Sequence, residues 1–325
     1  MIVDSHAHLV PPGLIAAIRR QQSRFPSVRV IEEAGSIALA FANGKPTRPI
    51  AKPLSDIPAR LAWMDKQGID AQVVGGWVDM FGYELPPTEG ERWNRLINEE
   101  LLAAAKAATR FVPLASVPLQ DGAHAAAVLR AAVEAGAPGA MIGTLPRGIG
   151  SVLDAEDLNP FWAMADELGA VVHIHPSFDA GDVRVHDYGL ANAVGRISDA
   201  IVAVARLLCS GHVRRYANVR IVAPMGAVGL PFVLGRLKRN AEITSGLADP
   251  VDAIGRLYLD TILHDVRVLQ FVIAMLGTEH LMMGSDSPFP IGDLGPMRIV
   301  AVAALSAEQA AAVNGGISAK LFGIR

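Results

Sequence analysis

Apolar runs alternate with amphipathic stretches along almost the whole chain of 325 residues. Eight of the apolar runs are predicted strands, at residues 2–9, 71–77, 111–119, 140–145, 171–176, 220–224, 257–262 and 281–286. Helical periodicity lies between them at 54–67, 88–107, 123–135, 158–168 and 198–209. Buried parallel strands are continuously apolar and need helical crossovers, so the pattern predicts an α/β fold, a (β/α)8 TIM barrel forming one domain over 1–325. An open doubly wound sheet is disfavoured because the chain lacks a G-x-G-x-x-G turn.

Residues 11–53 interrupt this alternation between the first strand and the first long helical stretch. The segment contains a short helical run at 14–21, two strand-like runs at 28–32 and 36–41, and a turn at Asn43-Gly44. Ordinary loops between a strand and a helix are far shorter. Long insertions at the top of a barrel strand usually cover the active site, so we expect 11–53 to form a lid or insertion subdomain.

The charge pattern and the single cysteine limit the partners and the compartment of the chain. A net charge of −3 without a basic run argues against nucleic acid as a partner. Cys209 is the only cysteine, which excludes an intrachain disulfide and fits a reducing compartment; its helical setting predicts a small core residue. No apolar run reaches the roughly 18–20 residues of a membrane span, and the N-terminus has no signal-like leader. We therefore expect a cytoplasmic protein without a membrane partner.

Three histidines and one aspartate stand at the ends of predicted strands. His6 and His8 are two residues apart in the first strand and so point to the same side. His175 lies at the C-terminal end of the fifth strand, before Pro176, and Asp286 lies at the C-terminal end of the eighth. The C-terminal ends of barrel strands form the active-site face. This mixed nitrogen and oxygen set suits Zn²⁺, with Mn²⁺ or Fe²⁺ as alternatives; separate core histidines and a capping aspartate are the structural alternative.

Short motifs are spread over nearly the whole chain. They are Asp4-Ser5-His6-Ala7-His8, Arg48-Pro49, Met64-Asp65 with Gly68-Ile69-Asp70, Met80-Phe81-Gly82-Tyr83, Val117-Pro118-Leu119-Gln120-Asp121, His175-Pro176, Leu234-Gly235-Arg236 and Gly284-Ser285-Asp286 with Pro288-Phe289-Pro290. Together they resemble the amidohydrolase superfamily, in particular its branch of α-amino-β-carboxymuconate-ε-semialdehyde decarboxylases. No single one of these motifs is specific; the combination is.

The resemblance implies roles for particular residues. By it, the metal ligands are His6, His8, His175 and Asp286. Arg48 and Arg236 match positions that bind substrate carboxylates, and Arg236 would reach the substrate across a homodimer interface. The planar fork of arginine suits bidentate pairing with a carboxylate. Trp77 and Phe81 follow the second barrel strand and are expected to form an aromatic wall over the substrate, with ordinary packing as the alternative.

Met225 is a departure from the family pattern. Counting back from Leu234-Gly235-Arg236 places Met225 where the family carries the histidine that activates a metal-bound water. A thioether does not accept a proton at neutral pH, so general-base catalysis from this position is lost. Two other histidines are candidates for the missing function: His173, on the same strand face as His175, and His264, which follows the seventh strand.

The resemblance implies a metal-dependent, non-oxidative decarboxylase of an unsaturated or aromatic carboxylic acid. Asp286 would move the proton, while the metal acts as a Lewis acid. Hydrolysis or hydration by a metal-bound hydroxide is the rival reaction, and a catalytically impaired carboxylate-binding protein is the third alternative. Loss of the base should lower the rate of a hydroxide-dependent hydrolase more than that of a decarboxylase. This comparison favours decarboxylation.

Overall fold

The computed structural model describes residues 1–177 and 180–325 of the chain. Its strands are β1 (Val3–Leu9), β2 (Val28–Glu33), β3 (Ser36–Phe41), β4 (Ala71–Gly76), β5 (Phe111–Pro113), β6 (Gly139–Gly143), β7 (Val171–His175), β8 (Arg220–Ala223), β9 (Tyr258–Asp260) and β10 (Leu281–Met282). The α-helices are Leu14–Arg20, Ile57–Gln67, Pro87–Ala107, Gly122–Glu134, Asn159–Glu167, Arg196–Cys209, His212–Arg215, Leu230–Ile243, Pro250–Ile254, Val266–Leu276, Met297–Ala301, Ala307–Ala311 and Ile317–Phe322. All strands other than β2 and β3 pair in parallel.

The parallel strands form two ladders whose edges meet. One ladder has the order β1-β4-β5 and the other β10-β9-β8-β7-β6. At one seam the Ser5 N–H donates to the Met283 carbonyl at 2.9 Å. At the other seam Ala115 lies between the two ladders: its N–H donates to Gly139, and its carbonyl accepts from Met141. The alternating strands and helices form the predicted (β/α)8 barrel.

β5 and β10 are the strands that fall furthest short of their predicted lengths. β5 ends at Pro113, although the apolar run continues to residue 119. Beyond it, the backbone of Ser116 exchanges hydrogen bonds with the side chain of Asn98 and so leaves the ladder. β10 ends at Met282, because the next backbone donors bond elsewhere: Met283 to the Val313 carbonyl and Ser285 to the Asp4 carboxylate.

The first long helix, Ile57–Gln67, begins and ends at residues suited to those positions. The Asp56 carboxylate accepts a hydrogen bond from the Ala59 N–H and so caps the N-terminus. Gly68 ends the helix with a φ of 67°, a conformation that costs glycine little. Cys209, expected in the core, is instead half-buried, because it is the last residue of its helix. Among the described residues, no helix combines the length and the hydropathy needed to cross a bilayer.

The segment between β1 and the first long helix contains an antiparallel hairpin of β2 and β3. Ala34 and Gly35 connect the strands with φ values of 49° and 80°. The rings of Phe25 and Phe41 lie 5.9 and 5.6 Å from that of Trp93, which fixes the hairpin against helix Pro87–Ala107. The predicted turn at Asn43-Gly44 is also present, where the Gly44 N–H donates to the Phe41 carbonyl at 2.8 Å.

Candidate metal centre and active site

The C-terminal ends of three barrel strands bring four potential ligands together. His6 and His8 come from β1, His175 ends β7, and Asp286 lies just beyond β10. One ligand atom from each of the four lies within 4.8 Å of the corresponding atom of every other. Asp286 Oδ1 is 3.1 Å from His8 Nε2 and 3.7 Å from His6 Nε2.

Each of the three histidines is oriented by a contact at its Nδ1 atom. His6 Nδ1 is 2.8 Å from Asp260 Oδ2, His8 Nδ1 is 3.3 Å from the Gly76 carbonyl, and His175 Nδ1 is 2.9 Å from the Pro176 carbonyl. Since carbonyl and carboxylate oxygens accept, the proton belongs on Nδ1 and the lone pair on Nε2. Metal-binding histidines are commonly held in this way.

The donor atoms at the centre fit a cation. Among the described residues, His6 Nε2, His8 Nε2 and Asp286 Oδ1 are buried without a hydrogen bond of ordinary geometry. Buried polar atoms left unpaired are costly, and a shared divalent ion would satisfy all three. Three imidazoles and one carboxylate form a site that suits Zn²⁺, Mn²⁺ or Fe²⁺.

The charges around the cluster also favour a cation. Burial lowers the pKa of His175 well below its usual range, so its lone pair is available at neutral pH. At Asp286, burial opposes ionisation, but His8, His6 and Arg196 outweigh it and lower the pKa of the carboxyl group. At His6, burial is likewise outweighed by Asp260, and the pKa of the imidazole is raised. The site therefore stabilises positive charge at His6.

Sequence reasoning missed Asp260, the carboxylate behind His6. Asp260 is fully buried, and its Oδ1 accepts hydrogen bonds from the backbone N–H groups of Met225 at 2.6 Å and Ile262 at 3.2 Å. Its Oδ2 faces His6 Nδ1. The sequence feature that could have pointed to Asp260 is its position at the end of an apolar strand. Asp260 thus connects a metal-ligand candidate to the turn that contains Met225.

Asp4 holds the other side of the cluster. It is fully buried on β1, accepts hydrogen bonds from the Ser285 N–H at 2.9 Å and from Gln72 Nε2 at 2.8 Å, and so fixes the residue before Asp286. Asp286 itself has a φ of 57°, which is unfavourable for a residue with a side chain. Such strained residues concentrate at functional sites, where the surrounding contacts maintain them.

A cavity of about 410 Å³ opens above the four ligand candidates. His6, His175 and Asp286 lie in its wall together with Arg196, and most of the remaining lining is aliphatic. His264 also lines the cavity; it is exposed and has a φ of 58°. The volume is typical of pockets for small molecules.

His173 does not line this cavity, although its ring contacts that of His6. Its ring is 4.5 Å from that of His6, and its side chain is fully buried. Burial lowers the pKa of His173 well below its usual range. Its imidazole, with His6 and Asp260, forms a second group of three potential ligands.

Met225 lines the cavity at the first position of an unusual turn. Met225, Gly226, Ala227 and Val228 have consecutive φ values of 52°, 60°, 63° and 51°, so the segment Pro224–Val228 contains a left-handed turn. Left-handed conformations cost non-glycine residues roughly 1–2 kcal/mol each. The hydrogen bond from the Met225 N–H to Asp260 helps to hold this turn.

The expected substrate-binding residues do not all face the cavity above the metal cluster. Arg48 forms a bidentate pair with Asp79, at 2.9 and 3.0 Å, and its guanidinium lies 5.4 Å from the centre of the Trp77 ring. Arg48 and Phe81 line a neighbouring cavity of about 680 Å³. Trp77 and Phe81 are buried. Arg236 is exposed on helix Leu230–Ile243 and lines neither cavity of this single chain.

The barrel and its cluster define a class of proteins, metal-site enzymes with catalytic groups at the C-terminal ends of barrel strands. A family model described as "Amidohydrolase" matches residues 3–324, and the chain belongs to this family. The 2-amino-3-carboxymuconate-6-semialdehyde decarboxylase of Dictyostelium discoideum is 26% identical over 306 residues, which cover 92% of this chain and 84% of that protein. The γ-resorcylate decarboxylase of Rhodococcus jostii is 29% identical over 61% of this chain and 65% of its own length.

Solved structures share the fold over the whole chain. The 5-carboxyvanillate decarboxylase LigW of Sphingomonas paucimobilis matches with a TM-score of 0.83 and 22% identity, covering 100% of this chain and 99% of its own. A dihydroxybenzoic acid decarboxylase of Polaromonas sp., solved with bound manganese and 2-nitroresorcinol, matches with a TM-score of 0.77 and 22% identity, covering 99% and 97%.

Proposed function

We propose that the protein is a metal-dependent decarboxylase that removes CO2 non-oxidatively from an unsaturated or aromatic carboxylic acid. The observation that carries the proposal is the cluster of four converging ligands in a barrel of the amidohydrolase family, three of which lie in the wall of a largely aliphatic cavity. The names of the matched relatives, decarboxylases of muconate-type and aromatic acids, support the reaction type.

The four donors would hold Zn²⁺, and the manganese in a matched structure makes Mn²⁺ the first alternative. When bound, the ion supplies Lewis-acid stabilisation of negative charge next to the scissile bond. The chain's own groups orient the acid and deliver a proton to the carbon as the bond to the carboxyl group breaks and CO2 leaves. Asp286 is the proposed proton carrier, because its carboxylate lines the cavity.

His264 is the better of the two histidines proposed for proton transfer, because it lines the cavity and contacts solvent. The complete burial of His173 against the ring of His6 favours a positioning role for His173. Met225 favours decarboxylation over hydrolysis. Water attack needs a base to remove a proton, whereas loss of CO2 needs stabilisation of charge and one proton donor.

The remaining parts of the proposal concern the assembly. Residues 11–53 would act as a lid at the neighbouring cavity, whose wall contains Arg48 and Phe81. Trp77, over which the Arg48 guanidinium lies, would support that wall. We propose a cytoplasmic homodimer in which the exposed Arg236 enters the partner's site. Phe232, one turn earlier on the same helix, is 85% exposed and would be covered in such a dimer. Light scattering coupled to size-exclusion chromatography measures the assembly state directly.

Incubation of the Zn²⁺- and Mn²⁺-loaded protein with aromatic and muconate-type acids tests the reaction. We expect CO2 release from at least one acid, and loss of release in Asp286→Asn, with folding checked by circular dichroism. Hydrolysis products without CO2 would support the rival reaction, and metal retention without any product would support a binding protein. Protein that cannot be loaded with either metal would refute the proposal.

A further inference from the structure

Arg60 is a buried arginine on helix Ile57–Gln67 that contacts the backbone of a metal-ligand candidate. Only 4% of the residue is exposed. Its Nη2 donates to the His8 carbonyl at 3.0 Å and to the Pro53 carbonyl at 3.4 Å. Burial lowers the pKa of Arg60 to about 10 against the opposing effect of Asp4, so the guanidinium is still charged at neutral pH. Arginine is rarely buried unless its charge has a use or a partner.

A second contact of Arg60 leads to Asp4 through one amide. Arg60 Nη1 donates to Gln72 Oε1 at 2.8 Å, and Gln72 Nε2 donates to Asp4 Oδ2 at 2.8 Å. A guanidinium has only donors, so Arg60 keeps the amide oxygen towards itself and the NH2 group towards Asp4. Gln72 and Asp4 are both fully buried. The buried cation is thus connected to the buried carboxyl group by an amide of fixed orientation.

Asp4 connects this amide to the segment that contains Asp286. Asp4 Oδ1 accepts from the Ser285 N–H at 2.9 Å, and Oδ2 accepts from the Ser285 hydroxyl. The Ser285 hydroxyl oxygen in turn accepts from the Ser287 N–H at 3.1 Å. Asp286 lies between these two held residues with a φ of 57°. Such a conformation persists only when the surrounding contacts maintain it.

Arg60 therefore acts on two ligand candidates from different strands. It holds the backbone of His8 directly, and through Gln72 and Asp4 it holds the segment of Asp286. His8 Nε2 and Asp286 Oδ1 are 3.1 Å apart, and one ion would have to contact both atoms. Metal-ligand distances tolerate deviations of only about 0.2 Å, so a small shift of either residue would weaken the site.

We propose that Arg60 is a positioning residue of the metal centre, which sets the placement of His8 relative to Asp286 and with it the affinity and geometry of the bound ion. The inference rests on the proposed function for the presence of an ion at the four ligands. Arg60 does not line the cavity above the cluster, so it would act without touching the substrate. The alternative is a buried polar network that stabilises only the fold.

Metal binding tests this inference without turnover. The Kd for Zn²⁺, measured by competition with a chelator, and the visible spectrum of the Co²⁺-loaded protein are compared for wild type, Arg60→Met, Arg60→Lys and Gln72→Met. Gln72→Met cuts the connection to Asp4 but leaves the direct contact of Arg60 with His8. Arg110→Met is the matched control, because Arg110 donates to the Asp70 carbonyl at 3.0 Å, just before β4 and at the opposite end of the strands from the ligands.

Arg60→Met should raise the Kd for Zn²⁺ about 10-fold, the lower end of the range for loss of a residue that supports a metal ligand. The Co²⁺ absorption bands should shift as well, because they report the arrangement of the ligands. Arg60→Lys, which can reach fewer of the acceptors, should fall between wild type and Arg60→Met. Gln72→Met should also weaken Zn²⁺ binding and shift the bands, by less than Arg60→Met. Arg110→Met should lower the thermal midpoint of unfolding but keep the wild-type Kd and spectrum.

A Kd within about twofold of wild type, with unchanged Co²⁺ bands, in both Arg60→Met and Gln72→Met would show that the network stabilises only the fold and would overturn the proposal. If Arg60→Met does not fold, Gln72→Met decides by the same criteria. An equal loss of affinity in Arg110→Met would also overturn it. Failure of the decarboxylase activity gives a different pattern: no CO2 is released, yet Zn²⁺ affinity still depends on Arg60. Wild-type protein that binds neither metal would overturn both proposals.

Discussion

Asp260→Asn is the substitution that most directly tests how the metal centre is built. Asp260 Oδ1 accepts from the N–H groups of Met225 and Ile262, and Oδ2 faces His6 Nδ1 at 2.8 Å. In the asparagine variant the amide oxygen must stay with the two backbone donors, which turns its NH2 group towards His6. Two donors would then face each other, so the His6 proton must move from Nδ1 to Nε2, the atom aimed at the metal.

The expected loss of metal affinity follows from this change of tautomer. Loss of an outer partner of a ligating histidine typically costs 10- to 100-fold in metal affinity. We expect the Kd for Zn²⁺ to rise by about that factor, as measured by competition with a chromophoric chelator. Metal-free Asp260→Asn should also lose about 1–3 kcal/mol of unfolding free energy, because a buried charge-assisted hydrogen bond is replaced by an unfavourable contact.

Asp199→Asn is the matched control. Its carboxylate likewise accepts from a backbone N–H, that of Ser177 at 3.3 Å, and from the Thr144 hydroxyl, but it is not among the clustered ligand candidates. The control should keep wild-type metal affinity. Zn²⁺ affinity within threefold of wild type in Asp260→Asn would refute the argument that Asp260 fixes the His6 tautomer.

Three further outcomes are expected. Removal of the metal by a chelator should abolish CO2 release and lower the thermal midpoint of unfolding by a few degrees. An ion present at 100 times its Kd adds about 2.7 kcal/mol to the free energy of unfolding. An unchanged midpoint would contradict a bound ion. Met225→His should raise kcat by about 100-fold or more if the absent base limits turnover, and an equal or lower rate would mean that the thioether shapes the pocket instead. Ala34→Asn should raise the unfolding free energy by about 0.5–1 kcal/mol, because Asn-Gly suits the positive φ values of this exposed hairpin turn. A lower unfolding free energy in denaturant titration would refute this argument about the turn.

The barrel and its ligand cluster were accessible from sequence because both depend on local periodicity. Eight apolar runs in alternation with helices define the ring, and the ends of those runs define the face on which His6, His175 and Asp286 meet. The residues at which strands end were less predictable from the sequence. β5 and β10 stop early because backbone donors near Ser116 and Ser285 bond to side chains from distant segments.

The supporting residues of the site depend on contacts between segments that sequence patterns do not connect. His6 and Asp260 are separated by 254 positions, and only the closed ring brings them to hydrogen-bond distance. Arg236 was predicted from resemblance alone, and its proposed role would need a second copy of the chain.

The first and last barrel strands lie side by side, and this has a consequence for synthesis. His6 and His8 are synthesised before Asp286 and before Asp260, the carboxylate that faces His6. Until then, β1 lacks the neighbour whose carbonyls accept its N–H groups, including the bond from His8 to Ser287 at 2.8 Å. A nascent chain should therefore be unable to retain an ion until the segment that contains Asp286 has been made and has paired with β1.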